Sequence, residues 1–173
     1  MVVVQSLFHR DETGAYAAAG MIGRGLYFFT IPLSAVMFPK IVRSKALAEK
    51  TDVVIYVLLC TALLGGSAAL FCTLFPKFPL QLIYQKKYLE IAWLVPWFCW
   101  SMLPLTLAAV LIHDLMARSH YRVVPYLLLV PAAYFTTLTF IHSDFAHVVQ
   151  VLGIFNLLLL GIAFLFNRLE KEA

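Results

Sequence analysis

The chain has 173 residues, of which 62% are hydrophobic and only 13% charged, and its mean hydropathy is +0.88. Soluble domains hold about 45–50% apolar residues, so this composition excludes an ordinary water-soluble fold. The net charge of +4 sits mostly in short polar stretches between long apolar runs, which points to orientation in a membrane and away from nucleic-acid binding.

Met1 to Phe8 is an apolar stub, too short to cross a bilayer, that reads as the tail of a helix. It lacks the basic start and small-residue cleavage site of a signal peptide. After the polar turn HRDETG, Gly14 to Pro39 is almost unbroken apolar sequence with Arg24 near its middle. About 20 apolar residues in a helix cross a hydrocarbon core of ~30 Å, so a first span is expected over 15–38. Ala15, Ala19 and Gly23 recur every fourth residue and give this helix a small face for close packing. Arg24 stands one position round from that face. A cation at mid-depth costs roughly 2.5–3.5 kcal/mol even on insertion scales. Two readings follow. Either Arg24 faces a polar pathway and binds substrate there, or it is structural, satisfied by a neighbouring helix's carbonyls or snorkelling outward. Pro32 is a candidate bending point, since proline removes a backbone bond and crowds the preceding turn.

Residues 40–52 form the most basic loop, and Asp52 is placed to cap the second span, 53–75. Gly65 and Gly66 at its centre permit close packing or flexing and are candidate hinge positions. PKFPLQLIYQKKYLE mixes prolines, aromatics and lysines as interfacial segments do. The third span, 89–116, is long enough to need tilt or kinks, for which Pro96 and Pro104 are candidates. Trp93, Trp97 and Trp100 share one helical face, suited to packing or interface anchoring, with sugar stacking as the rarer use. HDLMARSHYR is read as a loop, 121–141 and 145–166 as the fourth and fifth spans, and NRLEKEA as a polar tail.

The expected fold is therefore all-α: a single polytopic transmembrane helix bundle over 1–173, with five full spans and an N-terminal helix stub. Cys60, Cys72 and Cys99 lie in apolar runs without C-x-x-C spacing and read as small buried hydrophobes. No nucleophile–base order, metal-binding helix pair or phosphate-cradling glycine loop appears. No catalytic residue, metal or cofactor is expected, and the chain is not read as an enzyme. His113-Asp114 is read as loop or interface hydrogen bonding. None of the nine acidic residues falls at the centre of a span, so an intramembrane carboxylate for cation coupling is not expected. Eight of the 13 Lys/Arg flank one side of the spans (Lys40, Arg43, Lys45, Lys50, Arg118, Arg122, Arg168, Lys171), and Arg10, Lys77, Lys86 and Lys87 flank the other. Positive charge marks the cytoplasm, so the C-terminus is expected inside.

Several stretches carry a family resemblance. Glu12-Thr13-Gly14-Ala15-Tyr16-Ala17-Ala18-Ala19, then Gly23-Arg24, then Val36-Met37-Phe38-Pro39, resembles the E-x-G-x-Y-A-A-A…L-G-R…V-L-F-P stretch of bacterial polysaccharide (O-antigen type) flippases. These belong to the multidrug/oligosaccharidyl-lipid/polysaccharide exporter superfamily. Ile83-Tyr84 with Tyr88-Leu89-Glu90-Ile91-Ala92 is similar to the family's (L/I)-(Y/F)-G-x-x-Y-x-x-A segment, with Gln85 in place of the glycine. Leu115-Met116-Ala117-Arg118 is similar to its L-x-A-x-(G) helix end. In order, these stretches cover nearly the whole chain. Such flippases have two pseudo-symmetric lobes around a central cavity, and this chain resembles the second lobe, entered near the end of its first helix. The resemblance implies part of a transporter in the bacterial inner membrane. Its implied substrate is an undecaprenyl-pyrophosphate-linked sugar, moved to the outer leaflet, and its implied partner is the missing N-terminal lobe or a separate subunit. The alternative is a non-transporting membrane subunit or truncated remnant that assembles with a partner membrane protein. Arg24 is the substrate-binding candidate, because a guanidinium pairs with phosphate oxygens in a bidentate manner.

Overall fold

A computed structural model describes residues 14–28, 53–84, 88–118, 121–140 and 144–172, together with Pro32 and Pro39. The described residues form helices joined by turns. Helix α1 covers 14–28, α2 is Val53–Leu74, α3 is Lys77–Tyr84, α4 is Leu94–Ala117, α5 is Val124–Phe140 and α6 is Phe145–Glu172. Single 3-10 turns, Leu89–Ile91 and Tyr121–Val123, lead into α4 and α5. Three of these helices, α2, α4 and α6, are long and apolar enough to cross a membrane. The bundle is compatible with a membrane location.

Helix α4 is the axis of the bundle. Of its apolar window 56% is buried, against 22% for α2 and 28% for α6. It packs on α6 along one side and on α2 along another, while α5 packs on α6. Side-chain contacts fix the directions: Ser101 meets Val149 and Asn156, and Asp114 meets Asn167, so α4 and α6 run parallel. Trp100 meets Thr73, and Val54 clusters with Val110 and Leu111, so α2 runs antiparallel to α4. Buried residues gather at both ends. One cluster joins α1, the end of α2, α3 and the start of α4 around Phe98; the other joins the start of α2 and the ends of α4 and α6 around Val110 and Leu111. The outward faces are apolar, with Leu63 71%, Leu128 69% and Leu165 59% exposed. Such a surface belongs against lipid rather than water.

The helices differ from the expected spans at several places. The second matches closely. The expected third span at 89 starts at Leu94, because Tyr88 to Trp93 form turns and a 3-10 segment. Pro96 therefore falls in the first turn of α4, where its missing N–H has no intrahelical partner to lose, and only Pro104 lies inside the helix. The fourth helix has 17 residues rather than a full span over 121–141. At 1.5 Å per residue it reaches about 25 Å, short of a ~30 Å core. The expected polar tail continues α6 as helix to Glu172, because Asn167 is held against α4. The first span is described as helix over 14–28, and the stub at 1–8 lies outside the described residues.

Candidate functional site

Helix α1 is seated on α4 by its small residues. Ala18 and Ala19 are buried, and Gly20 and Gly23 lie against Phe98. A Cβ on Gly23 would stand 2.7 Å from the Phe98 Cβ and 3.1 Å from its backbone carbon, so only glycine permits this approach. The Tyr88 ring lies over Gly14 at the start of the helix, and at its middle the Tyr84 hydroxyl donates to the Met21 sulfur at 3.1 Å. The spacing of small residues thus does what it promises, with Ala19 and Gly23 at the contact and Ala15 half-buried at its edge.

Arg24 follows Gly23 directly and is half-buried. Among the described residues no carboxylate pairs with it. Its electrostatic neighbours are two phenols, Tyr16 from α1 and Tyr134 from α5. Tyr16 is 4% exposed, stacked on Phe145 with centroids 5.2 Å apart and edge-on to Phe98 at 5.0 Å. Tyr134 meets Phe155 of α6 edge-on at 5.7 Å. The aromatic packing holds both phenols, of which the sequence marked Tyr16 only as part of the resembled stretch and Tyr134 not at all, while the cation keeps partial exposure. Chemically this is a cation with phenols as electrostatic neighbours in an apolar frame, a combination suited to an anion.

The other candidates do not converge on Arg24. Pro32 is helical and exposed. Gly65 is buried where α1, α2 and α4 meet: an added Cβ would stand 2.7 Å from Leu103 Cδ1 and 3.3 Å from Leu26 Cδ2. At Gly66 it would meet nothing within 4 Å. The three tryptophans face outward, 51%, 47% and 48% exposed, and Trp100 Nε1 donates to Thr73 Oγ1 at 3.1 Å. An apolar groove of about 560 Å³ between α2, α4 and α6 is lined by residues such as Leu58, Ala62, Leu111 and Phe164, with no polar side chain to orient a polar ligand.

A second polar constellation lies between α4 and α6. Asp114, expected in a loop, is inside α4 and 0% exposed. Its carboxylate accepts from Arg118 Nε at 2.9 Å and from Asn167 Nδ2. About 16–20 Å along the same seam, by helix rise, Asn156 Nδ2 donates to the Ser101 carbonyl at 2.8 Å and Ser101 Oγ donates to the Val149 carbonyl at 3.1 Å. His113, the neighbour of Asp114, bonds instead through Nδ1 with the Ala109 carbonyl at 2.7 Å, within its own helix. Among the described residues no buried side-chain polar atom of the seam is left without a partner, so the arrangement joins helices rather than presenting a reactive group. The available signal was Asn156 standing in otherwise apolar sequence, where a polar residue needs a protein partner, whereas Asn167 opens the stretch read as a polar tail. Compared with protein families, characterised proteins and solved structures, the chain matches none.

Proposed function

We propose that this chain is one lobe of a transporter that flips lipid-linked oligosaccharide or polysaccharide precursors across the bacterial inner membrane, its C-terminus on the cytoplasmic side. The observation that carries the reading is Arg24: a half-buried cation on an apolar helix, without a carboxylate partner among the described residues and with Tyr16 and Tyr134 as its electrostatic neighbours. No ion pair among the described residues accounts for this charge, which supports reading the guanidinium's donors as the partners of an incoming anion. A pyrophosphate linking sugar to undecaprenyl lipid supplies that anion, and its paired oxygens match the planar guanidinium fork. The sugar-stacking and catalytic alternatives have no comparable support.

Transport needs two bodies that move against each other, so the proposal includes a second lobe or a partner subunit. Pro32, Gly65 and Gly66 are the proposed bending positions. In the complete transporter, Arg24→Ala is expected to lower surface glycan at least tenfold with normal membrane insertion, and Arg24→Lys to retain part of the export. Undiminished glycan export by correctly inserted Arg24→Ala protein removes the reading.

A further inference from the structure

Two of the three cysteines, read from the sequence as small buried hydrophobes, come to one level of the fold. Cys72 ends the buried face of α2 and Cys99 lies in the second turn of α4, both in the Phe98 cluster. Each stands one residue before a partner of the hydrogen bond that joins Trp100 to Thr73 across the α2–α4 interface, which puts the two thiols at one level of that interface. The adjacent residues lock the same level: Trp100 Nε1 donates to Thr73 Oγ1 at 3.1 Å, and Thr73 Oγ1 donates in turn to the Ala69 carbonyl at 2.8 Å. Ala69, one turn back on α2, is fully buried and lets the helices approach. Cys60, three turns earlier on α2, is exposed, away from this pair.

We propose that Cys72 and Cys99 are a reversible dithiol–disulfide pair that staples α2 to α4. Its oxidant is a small or protein-borne exchange-active disulfide. Cys72 is 7% exposed and Cys99 0%, so Cys72 is the first to react. Its thiol gives up a proton and attacks one sulfur of the oxidant, breaking that S–S bond and releasing one thiol. Cys99 then gives up its proton and attacks the Cys72 sulfur, forming the Cys72–Cys99 bond and releasing the second thiol. The two cysteines are oxidised by two electrons, the oxidant is reduced by two, and the two protons leave on the released thiols. The positive-inside expectation puts this end of the bundle on the outer side, where disulfides persist.

The test needs no substitution. Membranes containing the full chain are treated with dipyridyl disulfide, the remaining thiols are alkylated, and the peptides are mapped by mass spectrometry. Cys60 is expected to carry a pyridyl adduct, while the peptides holding Cys72 and Cys99 are joined to each other in most molecules and separate on reduction. In Cys99→Ser, Cys72 is expected to keep its adduct, for want of the second thiol; if that variant does not insert, the linkage in the unaltered chain decides. A stable adduct on Cys72 in the unaltered chain overturns the proposal. So do Cys72 and Cys99 that stay alkylatable once Cys60 has reacted fully, or links that join Cys60 to either of them.

Discussion

Helix α6 meets its two neighbours in different ways. Against α4 it runs parallel, with Gly153 close to Ser101, Asn156 on the Ser101 carbonyl and Asn167 on the buried Asp114. Against α5 it runs antiparallel, through the ring pairs Tyr126–Phe166 at 5.2 Å and Tyr134–Phe155 at 5.7 Å. The hydroxyls of Thr136, Thr137 and Thr139 donate to carbonyls of α5 itself and give nothing to α6. In lipid, setting leucine against leucine gains little over leucine against an acyl chain, so close approach and interhelical hydrogen bonds decide which helices stay together. The α4–α6 seam has both. Among the described residues no side-chain hydrogen bond joins α5 to α6, so the phenol of Tyr134 sits on the less firmly fixed of the two helices.

The contrast can be broken most severely at Asp114. Asp114→Ala removes the acceptor of Arg118 and Asn167 together, and a hydrogen bond to a charged group is worth about 1.5–3 kcal/mol. Arg118 is one-third exposed and can turn to water, which keeps the loss near the lower half of that range. Thermal unfolding in detergent checks it. Gly23→Ala is expected to cost about 1–3 kcal/mol, because the new methyl meets Phe98 near its backbone rather than at a movable tip. Gly66→Ala, with open space around its Cβ, should gain up to about 1 kcal/mol from helix propensity in the same assay. Equal effects at the two glycines would mean that close approach does not set the α1–α4 contact. Asn156→Leu is the milder change in the α4–α6 seam, at about 0.6–1.7 kcal/mol, the range for interhelical hydrogen bonds in a bilayer. The corresponding loss of a hydroxyl in α5, Thr136→Val, is expected to change stability by less than about 0.5 kcal/mol.

The helical class and the course of α2 were legible because a long apolar run admits few other structures in lipid, where every backbone polar group must be paired within the segment. The packing face of α1 was legible too, since Ala19 and Gly23 are small at the right spacing. Where helices begin was less so: Pro96 looks like a kink until the turn at Tyr88 to Trp93 shifts α4 and makes it a first-turn residue. Of the candidate site, Arg24 was visible as a charge in an apolar run, but Tyr16 stood out only within the resembled stretch and Tyr134 was one aromatic among many. Their relation to Arg24 joins residues from α1 and α5, far apart in the chain.

By itself the sequence determined that this chain is a bundle of apolar helices, since hydrophobic runs of that length pair their own backbone and hide it from lipid. It also marked Arg24, because a charge there is costly wherever it points. Only the tertiary structure decided that α4 is the axis, that Asp114 is sealed against α6, and that Cys72 and Cys99 come to one level. Each depends on which faces of two helices meet and at what register. Apolar residues distributed all round a helix leave that choice open, and a few small and polar contacts, local in space but distant in sequence, close it.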